Sequence, residues 1–216
     1  LEAARAFKLK RVVVASSNVL NHHIAGGEGA GDAMDEEAFP RPLSIYASCK
    51  QAIESLGLNY ARWFGVDFAA VRYGAVAGPW SGAGGGGPSN VFLTLIRHAM
   101  QGHEGVVPAA ALEWVYSKDA AAATVLALET PSLKHRVFNI TMGTLTSPED
   151  MMLAVKSVFP EARLRVGKSS DGSPALSNMT RHSSLKRAKE VLGFSPRFPM
   201  TAAVRDLAEY LRNEKT

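Results

Sequence analysis

The sequence lacks the features that mark several classes of protein. Its 216 residues include one cysteine, Cys49, which excludes an internal disulfide. No apolar run approaches the ~20 residues of a membrane-spanning helix, and no export signal is recognisable near the start. We therefore expect a cytoplasmic protein without a membrane partner.

Strong charge of either sign is also missing. Lysine and arginine number 24 against 20 aspartate and glutamate, so the net charge is +4, and the basic residues are scattered along the chain. A nucleic-acid surface normally shows a basic stripe or patch. We expect no nucleic-acid partner, and the positive net charge favours an anionic small-molecule ligand instead.

The apolar pattern predicts strands that alternate with helices. Three consecutive valines follow Arg11, a run typical of a strand buried on both faces of a parallel sheet. Helical spacing of apolar residues predicts a helix over 45–64, and a second buried strand is predicted over 66–72. Shorter strands and helices alternate through the rest of the chain. The prediction is an α/β fold with a parallel sheet.

The strongest candidate for chemistry lies at the start of the predicted helix. Tyr46 and Lys50 are four residues apart, hence on one helix face, and Ser16 and Ser17 end the preceding strand. Tyrosine, with an ordinary pKa of about 10, is a poor base near pH 7, and a nearby ammonium stabilises the phenolate. With a serine hydroxyl to hold the substrate oxygen, the set predicts acid–base chemistry on an alcohol or carbonyl. By itself, the Tyr-Lys spacing also fits a half-buried tyrosine beside a lysine that reaches solvent.

Four segments place this pair in a wider pattern. In order, they are Arg11-Val-Val-Val-Ala-Ser-Ser, Pro42-Leu-Ser-Ile-Tyr-Ala-Ser-Cys-Lys, Val71-Arg-Tyr-Gly-Ala-Val-Ala-Gly-Pro and Trp114-Val-Tyr-Ser-Lys-Asp-Ala-Ala. Their order and spacing resemble the extended short-chain dehydrogenases/reductases, in the NAD-dependent epimerase/dehydratase branch. The resemblance continues to Ala188-Lys-Glu-Val-Leu-Gly-Phe-Ser-Pro, near the end of the chain.

The resemblance implies a site and a reaction. It implies an NAD(P)-dependent oxidoreductase or epimerase that acts at a hydroxyl or carbonyl carbon of a sugar-like, polyol or uronate substrate. The implied catalytic residues are Ser17, Tyr46 and Lys50. NAD or NADP would be bound by Ser16, Tyr46, Lys50, Tyr73, Gly74 and Val76, and substrate by Ser17, Asn18 and Asn90. No metal site is predicted, because the adjacent His22 and His23 have no suitably spaced partner ligands.

Departures from the family pattern leave alternatives open. Leu112-Glu113 stands where nucleotide-sugar enzymes commonly place an arginine for the diphosphate. A nucleotide-sugar epimerase or dehydratase therefore remains an alternative, with Arg72, Arg97 or Arg181 as substitute cations. The glycine run 82–87 follows the wrong strand to be a dinucleotide fingerprint, so we interpret it as a substrate-side loop. Because no valid fingerprint occurs, a non-catalytic Rossmann-like binding module or inactive fragment is a second alternative.

The resemblance also implies how the chain is organised. Residues 1–80 would form the C-terminal part of an NAD(P)-binding Rossmann domain with the catalytic helix. Residues 81–216 would form mainly a smaller α/β substrate-binding lobe, with 114–141 returning to the Rossmann sheet. We expect a full-length subunit about a hundred residues longer that forms a homodimer. In this chain the strand at Arg11 to Ala15 should then lie at an open sheet edge.

Overall fold

The computed structural model describes residues 1–21, 33–79, 86–168 and 180–214. The histidine pair at 22–23 and most of the glycine run 82–87 lie outside these ranges. None of the helices in the described ranges is long and apolar enough to cross a membrane.

The described residues form six α-helices and eight β-strands, with a 3-10 helix at Asn18–Asn21 and a π-helix at Ala188–Leu192. The helices are α1 (Glu2–Ala6), α2 (Ile45–Phe64), α3 (Gly87–Gln101), α4 (Ser117–Glu129), α5 (Pro148–Lys156) and α6 (Met200–Asn213). The strands are β1 (Val12–Ser17), β2 (Phe68–Tyr73), β3 (Ala75–Ala77), β4 (Gly105–Val107), β5 (Leu112–Tyr116), β6 (Val137–Ile140), β7 (Leu145–Thr146) and β8 (Leu164–Val166).

Parallel pairing dominates the sheets. One sheet has the order β1-β2-β6, with both pairs parallel. A second has the order β3-β5-β7, in which β3 and β5 are parallel and β7 is antiparallel to β5. A third, two-stranded sheet pairs β4 with β8 in parallel. The predicted α/β fold with a parallel sheet is confirmed.

Strand β1 is an edge strand of the described sheet. It pairs with β2 alone among the described strands, in a register that places Val12 opposite Phe68 and Ser17 opposite Tyr73. Its valines are half-buried and Ala15 is exposed. The two-faced burial expected of the valine run is therefore incomplete among the described residues.

Helix α2 begins and ends at residues suited to those positions. The Ser44 hydroxyl accepts a hydrogen bond from the backbone N–H of Ala47, which satisfies an otherwise free donor at the helix start. Gly65 ends the helix in the left-handed region, at φ 66°. The helix predicted over 45–64 is confirmed.

The buried face of α2 consists of small and polar residues. Gly57 lies directly over the ring of Phe68 in β2, while the larger Leu56 and Trp63 point outward and are exposed. A side chain larger than hydrogen at position 57 would therefore collide with the sheet.

Two main groups of apolar side chains form the core. The larger lies among α3, β5, α5 and α6 and includes Phe92 and Trp114, whose ring centroids are 5.7 Å apart. The second lies between β2, β6 and α4 and includes Val71 and Phe138. A third, smaller group, formed by Phe68, Ala70 and Val137, lies on the other face of β2 from Val71, so both faces of this strand are packed.

The acidic run at 35–37, which the sequence indicates as a solvated turn, is partly buried. Glu36 is 8% exposed, and its carboxylate accepts the backbone N–H of Asn139 at 2.8 Å. Burial raises the pKa of Glu36, and nearby Arg187 opposes this shift. The interpretation as a solvated turn was wrong for Glu36, because its side chain bonds a strand N–H in β6.

The close approach at Gly57 predicts a stability effect opposite to the usual one. Glycine to alanine inside a helix normally stabilises by roughly 0.5–1 kcal/mol. A Cβ at position 57 would lie 2.0 Å from the Phe68 ring, so we expect Gly57→Ala to destabilise by about 1–3 kcal/mol. Urea unfolding measures the change.

Ser55→Ala, at an exposed position of the same helix, is the matched control and should change stability little. Adding Phe68→Leu to Gly57→Ala should reduce the penalty of the glycine substitution, because the obstructing ring is gone. A Gly57→Ala protein as stable as the unmodified chain would contradict this packing.

Candidate active site

A cavity of about 520 Å³ opens at the carboxyl ends of β1 and β2. In α/β proteins this end of a parallel sheet is where ligands bind. The cavity is lined by Ala15, Ser16, Ser17, Asn18, Val19, Tyr46, Lys50, Tyr73, Gly74, Ala75, Val76, Gly86, Gly87, Pro88, Ser89, Leu112 and Glu113. It is large enough for a small molecule or for one end of a larger cofactor.

Strand register brings the first polar groups of the cavity together. Ser17 lies opposite Tyr73 in the β1–β2 pair, and Tyr73 lies opposite Ile140 in the β2–β6 pair. The three strands therefore end at one level. The residues that directly follow these strands, such as Asn18 after β1 and Gly74 after β2, therefore lie at the same edge of the sheet.

Tyr46 and Lys50 reach the cavity from the first turns of α2. The Lys50 ammonium donates a hydrogen bond to the backbone oxygen of Ala15, at 2.8 Å, and lies 5.4 Å from the centroid of the Tyr46 ring. Tyr46 is 55% exposed, so its hydroxyl is accessible to a ligand. The lysine thus holds a positive charge beside the phenol while anchored to β1.

The serine pair presents two different hydroxyls. Ser17 Oγ accepts a long bond from the backbone N–H of Val19, at 3.4 Å. Ser16 is 3% exposed, and its hydroxyl oxygen has no hydrogen-bond partner among the described residues. A buried hydroxyl without a partner destabilises the fold, and such a group in a cavity wall is suited to bonding a ligand.

Residues 73–76, which join β2 of the first sheet to β3 of the second, form one wall of the cavity. The Tyr73 hydroxyl bonds Thr124 and the backbone oxygen of Ala120, so it is directed toward α4. Burial raises the pKa of Tyr73. The hydroxyl of Tyr73 is thus bonded within the fold, in contrast to the accessible hydroxyl of Tyr46.

Gly74 allows β5 to pass close to this segment. A Cβ at position 74 would lie 2.5 Å from the backbone oxygen of Glu113 and 3.3 Å from Cγ2 of Thr141. Neither neighbour is the far end of a flexible side chain. Position 74 thus requires glycine for the two sheets to meet at the cavity.

Comparison with known sequences identifies the family. The sequence profile of the NAD dependent epimerase/dehydratase family matches residues 1–141 of the 216. The chain belongs to this family. Mitochondrial L-threonine 3-dehydrogenase of Bos taurus is 29% identical over 129 residues, which are 57% of this chain and 34% of that protein. The matched part therefore spans about a third of that curated relative.

Solved structures of similar fold extend over almost the whole chain. L-threonine dehydrogenase from Phytophthora infestans has a TM-score of 0.82 and 23% identity, covering 99% of this chain and 68% of that one. UDP-glucuronic acid 4-epimerase from Bacillus cereus, solved with NAD, has a TM-score of 0.76 and 22% identity, covering 100% of this chain and 65% of that one. These likenesses confirm the predicted Rossmann-like fold.

Almost all residues predicted for an epimerase/dehydratase site line one cavity. These are Ser16, Ser17, Asn18, Tyr46, Lys50, Tyr73, Gly74 and Val76. Asn90, predicted to contact substrate, lies exposed in the first turn of α3 and does not line the cavity. Its neighbour Ser89 does, with its hydroxyl donating to the backbone oxygen of Val76 at 2.8 Å. The functional roles of all these residues remain predictions.

None of the three proposed substitutes for the missing diphosphate arginine, Arg72, Arg97 and Arg181, is among the described residues that line the main cavity. Arg72 is buried and forms a bidentate ion pair with Glu54, in which Nε donates to Oε1 at 2.9 Å and Nη2 donates to Oε2 at 2.7 Å. Arg97 lines a different, smaller cavity with Leu211. Neither guanidinium lines the main cavity.

Sequence reasoning missed the importance of Glu113. From the sequence, Glu113 served only as a sign that the diphosphate-binding arginine of nucleotide-sugar enzymes is missing. In the structure its carboxylate is buried in the cavity wall. An acidic residue inside the otherwise apolar strand 112–116 is the signal that could have identified it.

The contact at Gly74 predicts a second stability effect. Gly74→Ala should destabilise the fold by about 1–3 kcal/mol, because the new methyl group would overlap the backbone of β5. Gly87→Ala is the matched control: it also lines the cavity, but a Cβ there would have no atom within 4 Å. Urea unfolding of both variants gives the comparison, and equal stabilities would refute the close approach.

Proposed function

We propose that this chain carries the catalytic and substrate-binding part of an NAD-dependent oxidoreductase or epimerase, with Tyr46 as general acid–base. The observation that supports it most directly is the Lys50 ammonium beside the accessible Tyr46 phenol, in the same cavity as the Ser17 hydroxyl. The reaction would oxidise a secondary alcohol or reduce the corresponding carbonyl.

Each residue of this set has a separate task. Tyr46 takes the proton from a substrate hydroxyl, or returns it to a carbonyl oxygen. Lys50 stabilises the phenolate by its charge, which the Ala15 backbone oxygen holds in place. Ser17 orients the reacting substrate oxygen by a hydrogen bond. When bound, a nicotinamide cofactor supplies the hydride acceptor or donor.

The cavity has groups suited to the nicotinamide end of such a cofactor. The unpartnered hydroxyl of Ser16 and the ammonium of Lys50 are available for hydrogen bonds, and Tyr73 to Val76 form one wall. Family membership favours NAD. NADP is the alternative, because the residues that normally distinguish the two cofactors follow a strand not found in this sequence.

The proposed substrate is a small hydroxy compound such as a polyol, uronate or amino alcohol. Similarity to threonine dehydrogenases supports the small size. A nucleotide-sugar substrate is less well supported, because Leu112 and Glu113 offer no cation for a diphosphate and Arg72 is engaged elsewhere. A cytoplasmic location belongs to the same proposal.

The acid–base role of Tyr46 is tested by removing one oxygen. Tyr46→Phe should lower kcat by roughly 10²–10⁴-fold, the usual contribution of general acid–base catalysis. NAD binding should change little, since the ring remains. Reduction of NAD⁺ with a panel of small alcohols measures the first effect, and calorimetric titration with NAD⁺ the second.

Tyr210→Phe is the matched control for Tyr46→Phe. It removes a phenol on α6 that bonds Glu214 and does not line the cavity, so turnover should stay near that of the unmodified chain. Full activity of Tyr46→Phe would refute the assigned role. Failure of the folded chain to bind either NAD⁺ or NADP⁺ would instead favour the non-catalytic binding module.

The proposal includes a homodimer formed through the outer face of α2. Apolar side chains on that face have no cover in the described structure, and exposed apolar patches of this kind typically mark interfaces. The exposed residues are Ile45, Ile53, Leu56, Trp63 and Phe64, of which Ile45 is 85% and Trp63 68% exposed. A second copy of the same helix would bury them by two-fold pairing.

A charge placed in this face should separate the subunits. Leu56→Lys is expected to shift the mass measured by light scattering from dimer to monomer, since a buried unpaired charge opposes association. Val125→Lys, at an exposed apolar position on α4, is the control and should remain dimeric. A monomeric unmodified chain, or a dimeric Leu56→Lys variant, would refute this interface.

A further inference from the structure

Glu113 is the acidic residue of the cavity wall. The charged side chains among the described lining residues are Lys50 and Glu113 alone. Glu113 is 2% exposed, and none of the ion pairs of the described residues includes it. The residues outside the described ranges contain no arginine and one lysine, Lys215. The carboxylate of Glu113 is thus a buried charge without a paired cation in the described structure.

Hydrogen bonds from three separate segments satisfy this carboxylate. Oε1 accepts from the Thr141 hydroxyl at 2.8 Å and the backbone N–H of Ser183 at 2.7 Å. Oε2 accepts from the side-chain amide of Asn18 at 3.0 Å and the Ser183 hydroxyl at 2.7 Å. Each oxygen therefore receives one group that can only donate, an arrangement that suits the ionised form.

These bonds position the residues next to the reacting atoms. Asn18 follows Ser17 directly and lines the cavity, and its amide is held by Glu113. Thr141 follows β6, and Ser183 belongs to the C-terminal part of the chain. The Glu113 carboxylate thereby fixes three segments relative to β5: the end of β1 at Asn18, the end of β6 at Thr141, and the chain at Ser183.

Satisfied bonds do not remove the charge. Both carboxylate oxygens already accept two hydrogen bonds from the protein, so Glu113 acts on a ligand through its field more than through a direct contact. A fixed negative charge in a cavity wall repels anions and attracts cations. The one other charge among the described lining residues, the Lys50 ammonium, is bonded to the Ala15 backbone oxygen at the α2 side, so the repulsion of anions acts at the β5 side, where Leu112 offers no donor to offset it.

We infer that Glu113 is a positioning and specificity-determining residue, which aligns Asn18 and selects cationic or neutral alcohols over anionic ones. This inference rests on the proposed function for its substrate chemistry, and it narrows that proposal. Amino alcohols and neutral polyols fit the cavity, whereas uronates and phosphorylated substrates do not.

Three alcohols of similar size and different charge test the inference. Isopropanolamine is cationic near pH 7, propylene glycol is neutral and β-hydroxybutyrate is anionic, and each has one secondary hydroxyl. kcat and KM are measured with NAD⁺, and affinity by calorimetry without turnover. The unmodified chain should favour isopropanolamine over β-hydroxybutyrate by about tenfold or more in KM and in Kd.

Two substitutions separate the charge from the positioning. Glu113→Gln removes the charge, so the preference should fall to within about threefold; its amide nitrogen cannot accept the bond from Ser183 N–H or Asn18, so kcat should fall as well. Glu113→Asp keeps the charge but cannot reach all its partners, so the preference should persist while kcat falls, because Asn18 is no longer held. Glu36→Gln removes a buried carboxylate outside the cavity and should leave both the preference and kcat unchanged.

The possible results distinguish this inference from the proposed function. An unchanged preference in Glu113→Gln would overturn the inference, as would a preference of the unmodified chain for β-hydroxybutyrate or a failure of all three compounds to bind. Binding with the expected charge order but without reduction of NAD⁺ would overturn the proposed function and leave the selectivity of Glu113 standing. Reduction of NAD⁺ without any charge preference would do the reverse.

Discussion

The site depends on the parallel alignment of β1, β2 and β6. Parallel strands in register end at the same level, so Ser17, Tyr73 and Ile140 mark one edge of the sheet. Ser17 ends β1, Asn18 follows it, and Tyr46 and Lys50 reach the same cavity from α2. Helix α2 packs against β1 and β2 and brings Lys50 to the backbone of Ala15.

A second constraint is the meeting of two sheets at Gly74. Strands β2 and β3 are separated by this one residue, and β5 pairs with β3 while β6 pairs with β2. The missing side chain lets the backbone of β5 approach closely. Glu113 thereby comes within hydrogen-bond distance of Thr141, at the end of β6. The cavity thus has a cation at the α2 side and an anion at the β5 side.

Much of this arrangement could be predicted from local sequence. The capping serine and terminal glycine of α2, and the Ser147 capping box of α5, are local signals that a sequence shows directly. The resemblance to a known family brought Ser16, Ser17, Tyr46 and Lys50 into one candidate site, and they line one cavity. The burial of Glu36 could not be predicted, because it depends on an N–H in β6, about a hundred residues away.

The sequence by itself determined the α/β class by its periodicity and placed Tyr46 and Lys50 on one helix face by their spacing, while its segments resemble the family that the profile match shows. Only the tertiary structure decided which face of α2 is buried, that Arg72 is engaged by Glu54, and that Glu113 joins three segments at the cavity. These last features connect residues far apart in the chain. A carboxylate's partners depend on which strand ends meet, and that is a property of packing rather than of any local pattern.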